Sequence, residues 1–497
     1  MLTRAMALPR RLLAGGAAGD AGVAGGRHII SNVAIQFLSR GLTMAMSIVT
    51  VSLTARTLDP SGYGIWNGVS SYVGLFGVLT DLGLTTAAMQ RMAAEPERES
   101  EWLGALAGAR FALSVVAMAL CLASIPLFLT DADSSHAVAL ILTTTILSTG
   151  AATLMAVFQS RLRSGVVLSF TVLQGVLWLA AVLALAATKA SVVAFAIAYS
   201  ALIFFIAALQ VRTTRRLAHI AWRAGRRLWR PLLRVAIPLG IASIFITVYY
   251  QVDSVLLLQI SGQHEAGIYG AAYNFLGPLG FLPAAVMSSF FPVLSAVHAH
   301  DPLRVRRLVQ ICADLMGAIS LPILAGTVAL SSEIVQLLYG ASYERTAGLM
   351  PILMIAFVSI CFGSLAGFLA PIVGRQWRLA LYSGVGAAAN VALNLVLIPP
   401  YGAYGSAWAT VATELLTMIL MLGTSLQALK MRLSPWRLLR TLALAAAMTG
   451  VMVLARPLGL IPAGLIGVAF YGVGVFAARI VDLDRLRALR AERVEGA

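Results

Sequence analysis

The sequence predicts an all-α integral membrane protein of about fourteen transmembrane helices, set as two six-helix lobes (a parallel pseudo-repeat) around a central cavity, plus an appended helix pair. Three observations predict it. The 497 residues are 59% hydrophobic and 11% charged, with a mean hydropathy of +0.87, outside the range of soluble domains. Apolar runs long enough to cross a bilayer recur from residue 30 to residue 479. Of 36 basic residues, thirty fall at the two chain ends or in every second gap between those runs.

The runs lie near 30–55, 63–84, 103–128, 137–159, 166–187, 191–211, 235–259, 266–291, 309–335, 348–372, 379–399, 404–428, 438–455 and 459–479. Arg4, Arg10, Arg11 and Arg27 precede the first. The even gaps carry Arg91 and Arg98; Arg161 and Arg163; eight arginines from Arg212 to Arg234; Arg304, Arg306 and Arg307; Arg375 and Arg378; and Lys430, Arg432, Arg437 and Arg440. Arg479, Arg485, Arg487, Arg490 and Arg493 follow the last run. The odd gaps hold only Arg56, Lys189, Arg345 and Arg456. Basic residues near span ends stay on the cytoplasmic side, so both termini and every even gap are expected there. Arg40 and Arg110 are left over, inside runs.

A formal charge of +16 would suit nucleic acid, but its place at span ends faces anionic headgroups, so membrane lipids and no nucleic acid are the expected partners. Cys121, Cys312 and Cys361 lie in apolar runs, which implies no disulfide framework. Residues 1–28 are basic and Gly/Ala-rich without a compact apolar segment and cleavage site, and read as a disordered cytoplasmic tail. The outer gaps are too short to fold a domain. With Lys189 and Lys430 as the only lysines, no phosphate-cradling lysine loop exists. All six histidines sit at span ends or in loops, which disfavours a metal or haem at membrane depth. No catalytic residue, metal or cofactor is therefore expected, and the classes left are transporter, scramblase and scaffold.

Gly64-Ile65-Trp66-Asn67-Gly68 opens the second run, and Gly267-Ile268-Tyr269-Gly270-Ala271 opens the eighth. Six runs separate them, an even number that preserves orientation, as in a repeat about an axis along the membrane normal. Tyr404-Gly405-Ser406-Ala407-Trp408-Ala409 opens the twelfth in a related way. The chain then divides into an N-lobe (29–211), a basic linker (212–234), a C-lobe (235–430), a span pair (431–480) and a cytoplasmic tail (481–497). In the linker, Arg212, Arg215, Arg223, Arg226 and Arg230 take one face and Leu217, Ile220, Leu228 and Leu232 another, which predicts an amphipathic surface helix.

Several spans carry polar stripes at helical spacing: Asn32, Gln36, Arg40, Thr43 and Ser47; Asn67, Ser71, Gly74 and Asp81; Ser243, Thr247, Tyr250 and Ser254 beside Asp253; Asn390 and Asn394; Ser406, Thr410, Thr413 and Thr417. Matching stripes at the start of both halves predict a shared hydrophilic cavity. Intramembrane charges are costly and face the bundle interior by default. Arg40 and Arg110 in the inner half of the first lobe would suit an anionic group, since the guanidinium fork matches phosphate oxygens. The candidate substrate-binding residues are Arg40, Arg110, Asn32, Gln36, Asn67, Tyr250, Asn274 and Asn390. Asp81, Asp253, Glu333 and Glu414 are candidates for ion or proton coupling.

Leu58-Asp59-Pro60-Ser61-Gly62-Tyr63-Gly64 followed by Asp81-Leu82-Gly83-Leu84 resembles the start of the polysaccharide flippases in the multidrug/oligosaccharidyl-lipid/polysaccharide exporter superfamily. Tyr250-Gln251-Val252-Asp253, Phe291-Pro292-Val293-Leu294-Ser295, Leu338-Tyr339-Gly340 and Ile398-Pro399-Pro400-Tyr401-Gly402 continue the likeness in order across 29–430. Asp59 departs from it, standing where glycine is expected before the proline. The resemblance implies two lobes around a cavity, and a polyprenyl-diphosphate-linked oligosaccharide moved from the inner to the outer leaflet of a bacterial plasma membrane by alternating access. It also implies Arg40 as a diphosphate ligand. Exopolysaccharide, O-antigen or capsule synthesis would be the setting, with a polysaccharide polymerase and glycosyltransferases as pathway partners. The rival expectations are a small-molecule antiporter of the same superfamily and a non-transporting scaffold for cell-envelope assembly.

Overall fold

The computed structural model describes residues 24–128, 133–156, 158, 164–217, 221, 226–298 and 300–477, with residues 24–40 described as helix backbone alone. Among these residues, fifteen α-helices follow in order: α1 Ala24–Gly77, α2 Leu84–Ala94, α3 Glu99–Phe128, α4 Asp133–Thr143, α5 Thr149–Ala152, α6 Ser164–Ala187, α7 Val192–Leu217, α8 Trp229–Ile260, α9 Gly262–Leu279, α10 Phe281–Val297, α11 Pro302–Leu338, α12 Thr346–Ile372, α13 Gln376–Ala428, α14 Pro435–Ala455 and α15 Leu460–Ala477. No strand occurs among the described residues.

Twelve helices among the described residues are long and apolar enough to cross a membrane. Two of them, Gly41–Ala94 and Gln376–Ala428, run for 54 and 53 residues, more than twice the ~20 that one crossing needs. Each contains a bend. In α1 the bend is Asp59 (φ 54, ψ 170) before Pro60, and in α13 it is Gly402 (φ 55, ψ −130) after Pro399 and Pro400. Proline removes a helical donor and excludes the backbone of its predecessor from the helical region, so the chain turns there without leaving helix for long. The run pairs 30–55 with 63–84 and 379–399 with 404–428 thus each form two helices that meet at a kink. By the charge pattern, both bends mark the outer end.

The bend in α1 explains the expected glycine. At φ 54 the Cβ of Asp59 crowds the neighbouring peptide, a conformation that costs non-glycine residues about 1–3 kcal/mol. Asp59→Gly is expected to raise the unfolding free energy by about 1 kcal/mol, after glycine's own entropic cost. Thermal unfolding of the detergent-solubilised protein checks it.

Span 2 ends earlier than expected. Helix α1 stops at Gly77, passes through a 3-10 turn at Val78–Thr80, and reverses through Leu82 (φ 42) and Gly83 (φ 78) into α2. Asp81 therefore sits in a turn rather than in the span. Of the linker, residues 212–217 prolong α7, Arg226–Leu228 form a 3-10 turn, and Trp229 opens α8. Residues 218–220 and 222–225, on which the expected surface helix centres, lie outside the described residues. Leu228, Leu232 and Ala236 are buried with Trp102, Leu103 and Leu106 of α3, which anchors the start of α8 to the first lobe. The expected tails at 1–28 and 481–497 lie outside the described residues, except that 24–28 begin α1.

Helix α1 is shared by both lobes. It packs on α4 and α6 of its own lobe and on α8 and α9 of the other. Helix α12, with Leu349, Leu353, Phe357 and Leu365 fully buried, is the spine of the second lobe, flanked by α11 and α13. The last pair docks on α11 through Leu321, Ala325, Met448, Met452 and Tyr471.

The repeat motifs meet. A Cβ on Gly64 would fall onto the Gln263 carbonyl and 2.8 Å from Gly267 N, and one on Gly267 would fall onto the Pro60 carbonyl. Only glycine permits backbones this close. The glycines at the head of each proposed repeat are thus a seam where the lobes touch, beside the bend of α1.

Candidate functional site

Below that seam lies a cavity of ≈ 490 Å³ between the lobes, within the ~300–1,000 Å³ of ordinary small-molecule sites. Helix α1 supplies most of it: Thr50 and Thr54 before the bend, then Tyr63, Trp66, Asn67, Ser70, Ser71 and Gly74 after it, the helical spacing that keeps one face turned inward. Thr145 and Thr149, Trp178 of α6 and Tyr199 of α7 complete the first lobe's wall, and the second lobe adds Gln251 of α8 and Asn274 of α9. Among the described residues, no Asp, Glu, Lys, Arg or His lines it.

Two predicted residues join the lobes across this space. The Asn274 amide donates to the Tyr63 hydroxyl (2.9 Å) and to Asn67 Oδ1 (2.8 Å), and the Asn67 amide donates to Ser254 Oγ (3.1 Å). Higher up, Arg56 donates from Nε to the Leu338 carbonyl (2.8 Å) and from Nη2 to those of Gln336 (3.2 Å) and Leu337, at the C-terminal end of α11. A cation there meets the carbonyls of a helix C-terminus, where the helix dipole is negative. Ser52 donates to the same Leu338 carbonyl, and the Tyr343 hydroxyl donates to the Ala55 carbonyl (2.9 Å).

A second polar cluster is buried in the C-lobe, apart from the cavity. Asp253, 1% exposed, accepts at Oδ2 from the Tyr269 hydroxyl (2.9 Å) and from Thr410 Oγ1 (2.9 Å), and at Oδ1 from Asn394 Nδ2 (2.9 Å). Asn394 also donates to the Asn390 carbonyl (2.9 Å) and reaches Asn390 Oδ1 at 3.3 Å. Asn394 Oδ1 is buried with no hydrogen-bond partner among the described residues. Asp253, beside the span-7 stripe, thus meets Asn394 of span 11 and Thr410 of span 12 and not the shared cavity. Carboxylate, amide and hydroxyl oxygens without sulfur or imidazole make a donor set for a hard monovalent cation or a proton. Glu414 is buried nearby, beside Tyr249.

The remaining candidates are placed as follows. Arg110, with a side chain 12% exposed, pairs with Asp81 (Nη1 to Oδ1, 3.2 Å) and donates to Thr85 Oγ1 (3.0 Å) and Thr80 Oγ1 (3.3 Å). Asp81 also accepts from the Thr85 amide (3.1 Å) and hydroxyl (2.5 Å). Neither lines the cavity, so this pair braces the turn between α1, α2 and α3. Glu333 binds Arg456, tying the last helix pair to α11. Tyr250 is 41% exposed and outside the cavity wall, and Asn390 belongs to the Asp253 cluster. The side chains of Asn32, Gln36 and Arg40 lie outside the described residues. Position 40 is eleven residues before Val51, which lines the cavity, and so three turns, about 16 Å, down the same face of α1.

Sequence reasoning missed Trp66, Trp178, Tyr199 and Gln251 as cavity residues. A signal existed for Trp178. Membrane tryptophans gather at the two interfaces, whereas Trp178 sits midway along its apolar run.

A family model described as "Polysaccharide biosynthesis protein" matches residues 29–298, and one described as "Lipid II flippase MurJ" matches residues 239–480. A curated relative, "Probable flippase AglR" of Haloferax volcanii, is 28% identical over 179 residues, which are 35% of this chain and 37% of that protein. The match therefore spans little over a third of the relative's length. Among solved structures, "Lipid II flippase MurJ, inward closed conformation" aligns with a TM-score of 0.72 at 14% identity, over 90% of this chain and 98% of that one. An inward-facing multidrug resistance MATE family transporter of the MOP superfamily aligns with a TM-score of 0.62 at 13% identity, over 78% and 94%. At such identities the two structures show a shared fold.

Proposed function

Since the chain belongs to the polysaccharide biosynthesis protein family, whose model covers more than half of it, we propose that it is a transporter, not an enzyme, and flips a lipid-linked saccharide across the membrane. The observation that carries this is the cavity: walls from both lobes, many neutral hydrogen-bonding groups, and no formal charge among its described lining residues. Saccharide hydroxyls need many neutral donors and acceptors. An organic-cation antiporter needs a carboxylate in its cavity, and among the described residues none lines this one.

In this reading the cargo is a polyprenyl-diphosphate-linked oligosaccharide repeat unit of exopolysaccharide, O-antigen or capsule, carried from the inner to the outer leaflet of a bacterial plasma membrane with both termini in the cytoplasm. A polymerase and glycosyltransferases would flank it in the pathway. The lobes part at the Gly64–Gly267 seam to release the sugars, while the prenyl tail stays in lipid. Arg40, three turns below the cavity wall, meets the diphosphate. The Asp253 cluster binds the coupling cation or proton, as the oxygen-only donor set and the unpartnered Asn394 Oδ1 support.

The test is flipping of a fluorescent polyprenyl-diphosphate oligosaccharide in proteoliposomes. Losing a charge-assisted, forked contact costs about 1.5–3 kcal/mol, so Arg40→Gln is expected to slow flipping roughly tenfold or more at equal insertion. Wild-type rates in that variant would move the diphosphate site elsewhere. No flipping by the wild type would reject the function itself.

A further inference from the structure

Three aromatic side chains from three helices converge on the cavity. Trp66 of α1 and Trp178 of α6 stack with ring centres 5.9 Å apart and planes 20° apart. Tyr199 of α7 stands edge-on to both, at 5.6 Å and 89° from Trp66 and at 5.1 Å and 71° from Trp178. Phe195, fully buried, backs the group. The front three are only partly buried, and all line the cavity.

We infer that Trp66, Trp178 and Tyr199 form a stacking platform for a neutral sugar ring of the cargo, a specificity-determining subsite that rests on the flippase reading above. The polar tips argue against packing alone. Buried tryptophan and tyrosine ordinarily find partners for N–H and O–H. Here, among the described residues, neither indole N–H nor the Tyr199 hydroxyl makes a hydrogen bond, and the Gln251 amide facing the same space makes none either. The site thus offers apolar faces rimmed with unspent donors.

A pyranose has the complementary surface. One face presents C–H groups whose positive edges suit the negative face of an aromatic ring, and its rim presents hydroxyls that suit indole, phenol and amide. Among the described residues no cation lines the cavity, which sets the class more narrowly. A uronic or other acidic sugar would lose its hydration here without gaining a counter-charge. The ring on the platform is therefore a neutral hexose, deoxyhexose or N-acetylhexosamine. Because the platform belongs wholly to the first lobe, while Gln251 and Asn274 belong to the second, the ring stays with the first when the lobes part.

The experiment measures binding of the full-length purified protein to polyprenyl diphosphate, bare or carrying one sugar: glucose, galactose, rhamnose, N-acetylglucosamine or glucuronic acid. The wild type is expected to bind at least one neutral-sugar lipid roughly tenfold more tightly than the bare lipid, the scale of a good aromatic contact. It is expected to bind the glucuronyl lipid no better than the bare one. Trp178→Ala erases the neutral-sugar advantage, Trp178→Phe keeps most of it, and neither alters bare-lipid affinity, which also reports that the variants are folded. A surviving advantage in Trp178→Ala, a preference for the glucuronyl lipid, or equal binding of bare and glycosylated lipids by the wild type overturns the platform but not the flippase. Failure of the wild type to bind any of these lipids overturns both.

Discussion

Replacing Gly267 by alanine is expected to abolish flipping as completely as replacing it by valine. The obstacle is the Cβ itself, which would fall onto the Pro60 carbonyl of the facing lobe. A flexible side chain gives way, but two helix backbones held by their own hydrogen bonds do not. The outer seam must therefore open by the width of a methyl group. That movement pulls at the Asn274–Asn67 and Asn274–Tyr63 bonds just beneath it and at Arg56 above. Overpacking of this kind costs about 3 kcal/mol or more in the closed state, a shift of roughly a hundredfold or greater between closed and open forms. The same outcome is expected for Gly64→Ala, whose Cβ meets the Gln263 carbonyl. Gly277→Ala, with nothing within 4 Å of its Cβ, is the neutral control. Two measurements check this: flipping in proteoliposomes, and labelling of a cysteine placed at Ser71 by a membrane-impermeant reagent from outside. Labelling is expected to rise in the seam variants alone.

The second large effect is expected at Asp253. Asp253→Ala would leave the Tyr269 and Thr410 hydroxyls and the Asn394 amide without their acceptor inside the C-lobe, at a cost of about 3 kcal/mol or more in unfolding free energy. Asp253→Asn keeps the volume and most of the bonds but removes the charge. It is expected to lower stability by only about 1–2 kcal/mol while reducing gradient-driven flipping at least tenfold, because a neutral site has lost its attraction for a cation or proton. Thermal unfolding separates the first effect from the second. Flipping driven by imposed sodium, proton or voltage gradients identifies the coupled species. If Asp253→Asn still responds to every gradient as the wild type does, the cluster is structural and the coupling lies elsewhere.

The apolar spans were legible because bilayer thickness acts on single segments. Most helices begin and end within a few residues of the apolar runs; the exceptions are the runs joined at Asp59 and Gly402, the run 137–159, which breaks into short α and 3-10 pieces, and the run 266–291, which divides into α9 and α10. Partnerships between segments were less legible. Asp81 and Arg110 are 29 positions apart in the chain, and the hydrophobic pattern gives no hint that a turn after Gly77 brings them together. Polar stripes on spans 2, 7, 11 and 12 look alike in sequence. Which of them faces water and which faces another stripe depends on helix rotation, which spacing alone leaves open. The cations of the odd gaps were an overlooked signal. Arg56, Arg345 and Arg456 depart from the charge pattern, and each is spent on a specific bond: to the end of α11, to Glu265 and to Glu333. A cation that departs from the pattern calls for a partner.

The glycine seam also bears on what an alignment of relatives would reveal. Contacts between side chains drift together, since a larger residue on one side is offset by a smaller one on the other. At Gly64 and Gly267 the opposing atoms are main-chain oxygens, present whatever residue occupies the facing position. No change at one glycine relieves a change at the other. The two columns are expected to be invariant yet statistically independent, so the tightest contact between the lobes would be silent in any analysis of correlated substitutions.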